Sequence, residues 1–281
     1  MSIDTEKPTK RDLILDAINH RDTGRIPYLI QFDRKMASKL ALHYGVERIG
    51  GIVDSGIECI NRYRIPDPDE KNRGTKEPAA AGGDKYQVAC LGSLWRQAIL
   101  TRGEENLRLD LTIRPNAVDE LLDGIMTKLL ANMQRCRAEM DVDCIGLDDD
   151  YGSTGQFQIS SAIWQRHIVK RLQQLSDAVH DAGCHLAMRL KGAIGPYMDE
   201  IVGTGVDLLN PEQSGGVDFL WIKREYGKYI TLWGGYGTQG TMMFSSTDHI
   251  RQEVNEVCDR LGAGSGFVLS PGRLIPGDVP V

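Results

Sequence analysis

Residues 183–211 read GCHLAMRLKGAIGPYMDEIVGTGVDLLNP. A short run at His185–Met188 has the length and apolarity of a buried strand, and Ile194–Val202 is a helical pattern closed by Gly203. Val206–Leu209 is strand-like again and ends at Asn210 and Pro211. Strand, helix, glycine and strand within so few residues predict a right-handed crossover joining two parallel strands.

The same rhythm extends in both directions. Downstream come a helix over Phe219–Tyr226 ending at Gly227, a strand over Tyr229–Trp233, a helix from the Ser246–Thr247 cap to Leu261, and a strand over Phe267–Leu269. Upstream, Ser160 caps a helix over Ser161–Ala182 that Gly183 closes, and Cys144–Leu147 is a strand running into Asp148, Asp149 and Asp150. A long helical pattern covers Ala117–Met140. Nearer the amino terminus, helices are predicted over Glu6–Arg21 and Lys35–Tyr44, and strands at Tyr28–Ile30 and Ile57–Tyr63. Val88–Leu100 reads as a hairpin around Gly92, and the Pro-, Gly- and charge-rich stretch 66–84 as a mobile loop.

About eight strands alternating with helices predict an α/β protein, a TIM-type (β/α)8 barrel forming one domain over residues 1–281; an open doubly wound sheet is the alternative. Gly234-Gly235-Tyr236-Gly237 approaches a dinucleotide-binding fingerprint but continues into Thr-Gln-Gly, so no nucleotide site is expected. The chain stops twelve residues after the last strand, so the closing helix is expected to be missing, or supplied by the amino-terminal helix or a partner.

The 281 residues carry 33 Lys and Arg against 39 Asp and Glu, a formal charge of −6 with no basic stripe. Nucleic acid and anionic membranes are therefore not expected partners. With no long apolar segment and a polar amino terminus, a soluble cytoplasmic protein is the expectation. None of the six cysteines forms a C-x-x-C pair, and they read as buried thiols.

In a barrel the chemistry sits at the carboxyl ends of the strands. Those ends carry Asp148 to Tyr151, Arg189 with Lys191, Asn210 with Glu212, Trp233 to Tyr236, and Ser270 to Arg273. Asp149, Asp150, Tyr151 and Lys191 are the candidates for acid/base work, and Arg189, Asn210, Glu212, Tyr236 and Arg273 for substrate binding. The bland readings are a helix-capping role for the three aspartates and internal pairing of the cations with them. Cys184 and His185 straddle the start of a strand, away from that rim, so no metal ligand set and no cofactor are called for.

These residues also carry a family resemblance. Asn19-His20 through Arg25-Ile26-Pro27 resembles the opening block of the uroporphyrinogen decarboxylase superfamily, and Asp149 to Ser153 with Ile159-Ser160 resembles its DDYGSQ…IS segment. Gly203 to Pro211, Trp233-Gly234-Gly235 with Thr238-Gln239, and Ser270-Pro271 through Pro280 are similar to three further blocks, in order. The resemblance implies a TIM-type barrel, a cleft at the strand carboxyl ends and a homodimer. It also implies one of two activities: decarboxylation of porphyrinogen acetates, or methyl transfer linked to corrinoid, thiol or folate carriers.

Thiol-activating members hold zinc with an H-x-C pair and a later Cys. Arg189-Leu190-Lys191 and Pro271-Gly272-Arg273 stand at those positions, and cations repel a dication. The Lys191-Gly192 step resembles the decarboxylase branch, although Tyr28 to Asp33 replaces that branch's Arg-rich amino-terminal signature. The leading expectation is a metal-independent, decarboxylase-type lyase acting on a carboxylate. A methyltransferase or demethylase partnered by a corrinoid protein is the alternative, and a non-catalytic binding subunit the third.

Overall fold

The computed structural model describes residues 8–47, 60–64, 83–153, 156–157, 159–212, 217–237, 245–272 and 274–281. The first part of the chain supplies α1 (Lys10–Ile18), α2 (Arg34–Tyr44), β1 (Ile60–Arg64), β2 (Tyr86–Gly92), α3 (Leu94–Arg102), α4 (Glu104–Ile113) and α5 (Pro115–Glu139). Next come β3 (Cys144–Asp150) and a small hairpin of β4 (Gly152–Ser153) and β5 (Gln156–Phe157). Then α6 (Ser161–Trp164) runs through a π turn (Gln165–Val169) into α7 (Lys170–Asp181). The chain continues through β6 (His185–Lys191), α8 (Met198–Gly203), β7 (Leu208–Pro211), α9 (Phe219–Tyr226), β8 (Thr231–Tyr236), α10 (Thr247–Leu261) and β9 (Phe267–Pro271). These elements belong to two compact units, Arg62–Gly82 with Gln87–Asp218, and Met1–Asn61 with Gly83–Tyr86 and Phe219–Val281.

The first unit is a parallel α/β layer. β2 pairs with β3, β3 with β6 and β6 with β7, all parallel, and every connection crosses over through helix. The strands are apolar because helices cover one face: Ile145, Leu147, Leu186, Leu190 and Leu209 on that face have no exposed surface. α5 begins with Pro115 in its first turn and buries Val118, Leu122, Ile125, Met126, Leu129, Met133 and Cys136, the spacing of one helical face.

The hairpin expected over Val88–Leu100 is instead a strand followed by a helix. Gly92, at φ +109°, ends β2, and the Ser93 hydroxyl accepts from Arg96 N to start α3. Trp95 and Ala98 then bury at helical spacing, not on one face of a strand. The helix expected over Ser161–Ala182 is interrupted by the π turn, and α4 was not anticipated.

In the second unit β8 and β9 are parallel, with Leu232 opposite Phe267 and Tyr236 opposite Pro271. The strand expected at Tyr28–Ile30 is reduced to a bridge: Leu29 N donates to Leu269 O at 3.0 Å and Leu269 N to Pro27 O at 2.9 Å. α1 is fixed by a capping box between Thr9 and Asp12. α2 is capped by Asp33, whose carboxylate accepts from Met36 N at 2.6 Å and Gly277 N at 3.0 Å, tying the helix to the carboxyl-terminal segment. Met36, Ile275 and Val279 form the cluster beneath it.

Nearly all of the stretch 66–84, together with Cys59, Thr238, Gln239 and Arg273, lies outside the described residues. Among the described residues Cys90, Cys136, Cys144 and Cys184 are buried thiols outside any disulfide, and Cys258 is a partly exposed one. Among the described residues, no helix is long and apolar enough to cross a membrane.

Candidate active site

β3, β6 and β7 end together, and their register builds the site. Asp148 lies opposite Arg189, which lies opposite Asn210; Asp150 lies opposite Lys191. Side chains alternate along a strand, so these residues project from one face and Asp149 and Leu190 from the other. The polar face carries two rows. In the lower row, Arg62 Nη2 donates to both Asp148 oxygens at 2.6 and 2.7 Å, and Arg189 Nε lies 3.4 Å from Asp148 Oδ1. In the upper row, Lys191 Nζ sits 3.3 Å from Asp150 and 3.5 Å from Glu212, which is only 3% exposed. Three cations and three carboxylates thus balance.

Arg62 also donates from Nε to Cys90 Sγ at 2.9 Å. Burial opposes its charge, but the contacts with Cys90 and Asp148 outweigh that cost and hold its pKa above the ordinary value. Burial pushes the Cys90 thiol up against the pull of Arg62, so it stays protonated. Among the described residues Arg189 forms an ion pair with Asp148, Nε lying 3.4 Å from Oδ1, and its planar guanidinium has the geometry that takes a carboxylate in two parallel hydrogen bonds.

Asp149 turns to the helix side. It is 3% exposed and accepts from Ser93 Oγ, from Trp95 N at 3.0 Å, from Leu94 N at 3.2 Å and from Tyr151 Oη at 2.6 Å. Its carboxylate therefore caps α3. Burial raises its pKa while the four donors pull it back. Tyr151 has no exposed surface and packs edge-on against Trp164 with ring centroids 5.0 Å apart; burial, together with Asp149, holds its proton on.

The structure brings Asp150, Lys191, Arg189, Asn210 and Glu212 together on one face and sets Asp149 and Tyr151 behind it. Tyr236 belongs to the other unit, where its phenol is pushed up to about 12, chiefly by burial and then by the Glu253 carboxylate. Arg273 lies outside the described residues. Sequence reasoning missed Arg62; the signal was a guanidinium inside a run read as a strand, at an inward position of β1. Among the described residues, no group of three or more His, Cys, Asp or Glu side chains is placed to hold a metal ion. At the end of β6, where superfamily zinc ligands are expected, a guanidinium and an ammonium do not fit that ion.

Residues 89–281, more than half of the chain, match the family Uroporphyrinogen decarboxylase (URO-D), and the chain belongs to it. It is 22% identical over 262 residues to uroporphyrinogen decarboxylase of Mannheimia succiniciproducens, covering 87% of this chain and 71% of that protein. A shorter match, 30% identical over 79 residues, is to the uroporphyrinogen decarboxylase of Nitrosococcus oceani and spans 28% of this chain and 21% of that one. The fold is similar to a solved methyltransferase from Methanosarcina mazei, with a TM-score of 0.71 and 16% identity over 98% of this chain and 95% of that one.

Proposed function

We propose that the chain is a decarboxylase-type lyase acting on a small carboxylate, held on the polar face of β3, β6 and β7. The observation that carries this reading is the Arg189 guanidinium, ion-paired with Asp148 alone among the described residues and placed beside a Lys191 held between Asp150 and Glu212. The lower row carries one cation in excess and the upper row one carboxylate, so the site favours a small anion that fits the Arg189 fork over a large polyanion that would also meet the upper carboxylates.

In the step this supports, the scissile carboxylate loses carbon dioxide and its bonding electron pair passes into the conjugated part of the substrate. Lys191 delivers a proton to that carbon, and solvent restores it through the half-exposed Asp150. The balance is one carboxylate and one proton in, one C–H and one carbon dioxide out. Arg189 holds a second, spectator carboxylate, and Arg62 with Asp148 fixes the plane of its fork. Asp149 and Tyr151 act as positioning residues that set the end of β3 against α3. No step is routed through zinc, which the donor set does not fit.

The test is carbon dioxide release from a panel of small conjugated di- and tricarboxylates by the intact chain, Arg189→Ala and Lys191→Met. Losses of about 10²-fold or more in each variant are expected, in line with removing one placed electrostatic or proton-transfer group. Unchanged turnover in both variants refutes the assignment. Methyl transfer to tetrahydrofolate or cobalamin without carbon dioxide release overturns the lyase reading.

A further inference from the structure

Asn210 carries an observation the lyase reading leaves unused. It lies in register with Arg189, one strand across, so its amide projects from the same face as the Arg189 fork. The residue is only 7% exposed, yet its Oδ1 accepts no hydrogen bond among the described residues. Its neighbours leave that position open: Arg189 meets Asp148 through Nε, Pro211 has no N–H, and Lys191 lies one row up between Asp150 and Glu212. A buried carbonyl beside an anion-binding fork is a place for a donor that none of the described residues supplies.

We propose that Asn210 Oδ1 receives an O–H or N–H group of the bound ligand, so that the site selects a hydroxy- or amino-carboxylate over the plain acid. The carboxylate lies on the Nη edge of Arg189 and the donor on Asn210. The inference rests on Arg189 as the carboxylate anchor and adds the second point that orients the ligand. A site built to accept such a hydrogen bond rejects an analogue without the donor far more strongly than an apolar pocket discriminates size, because the acceptor is then left buried and unpaired.

The experiment is equilibrium binding by calorimetry of the intact chain to butanoate, its 2-, 3- and 4-hydroxy derivatives and 4-aminobutanoate. At least one donor-bearing ligand is expected to bind about tenfold or more tighter than butanoate. Asn210→Leu, or Asn210→Ala if the leucine variant does not fold, brings the ratio of donor-bearing to plain-acid affinity down to about one. Arg189→Met weakens every ligand alike. Equal affinity for butanoate and all its derivatives overturns the inference while the Arg189 anchor stands. No binding of any member overturns the anchor and the inference with it. A preference that survives substitution of Asn210 places the acceptor elsewhere and also overturns the inference.

Discussion

Replacing Asp149 separates anchoring from chemistry. Its two oxygens take four donors: the backbone N–H groups of Leu94 and Trp95 and the hydroxyls of Ser93 and Tyr151. In Asp149→Ala the hydroxyls can rotate to other acceptors, but the two backbone donors at the start of α3 cannot. Each stranded buried donor costs about 1–3 kcal/mol, so the variant is expected to lose about 4 kcal/mol. Asp149→Asn keeps one acceptor oxygen. Its amide is best placed toward Tyr151, which can reverse its hydroxyl, leaving only Leu94 N stranded, at about 2 kcal/mol. Urea unfolding at neutral pH measures both values, and carbon dioxide release below the transition measures activity. The expectation is graded destabilisation with folded Asp149→Asn retaining most of its turnover. A loss under about 1 kcal/mol for Asp149→Ala would refute the anchoring argument. Abolished turnover in a fully stable Asp149→Asn would return the residue to the chemistry.

Three further outcomes follow from the remaining charges. Arg171 is 1% exposed and meets the Asp119 side chain and backbone at 3.2 and 2.8 Å, so Arg171→Met breaks a buried network and should cost about 3 kcal/mol in a urea titration; a change near zero would show that Arg166 and His167 satisfy Asp119 alone. Burial holds the His167 pKa below its ordinary value of about 6.5 despite Asp119, so the unfolded chain binds the proton first and stability falls as pH drops below that point. His167→Gln should flatten this limb between pH 6.5 and 5, leaving the share of His20, which burial also lowers; an unchanged slope refutes the assignment. Arg62→Met leaves Asp148 to Arg189 alone, draws the guanidinium toward it, and should weaken carboxylate binding about tenfold by calorimetry with little change in Lys191-dependent turnover at saturation.

The alternation of strands and helices in the second half of the chain was legible because periodicity and glycine stops are local: Gly183, Gly203 and Gly227 each close or follow a helix where the pattern ends. The Val88–Leu100 segment was misread because the apolar run Val88–Leu91 passes through Gly92, the last strand residue, straight into the cap Ser93, and a glycine followed by a capping serine looks like a turn. Tyr28–Ile30 has strand composition, but a strand needs a continuous partner, and among the described residues it meets Leu269 in a single bridge. Arg62 was hidden because its partners, Cys90 and Asp148, lie 28 and 86 positions away, and no local pattern reports such a distance.

The three consecutive aspartates show most sharply where sequence reading ends. Asp148, Asp149 and Asp150 are chemically identical, and a strand sends alternate residues to opposite faces, so composition alone cannot say which carboxylate meets ligand and which meets helix. Both readings, a catalytic rim and a helix cap, were available from the residues. The pairing of β3 with β6 divides them: the register that sets Asp148 against Arg189 and Asp150 against Lys191 turns Asp149 toward the free N–H groups of α3. A slip of one residue would reverse every role, placing one carboxylate at the rim and two behind the sheet without matched cations. The cap on Asp149 and the ion pairs of its neighbours therefore stabilise the same register, so the residue least able to reach a ligand helps fix the ones that can.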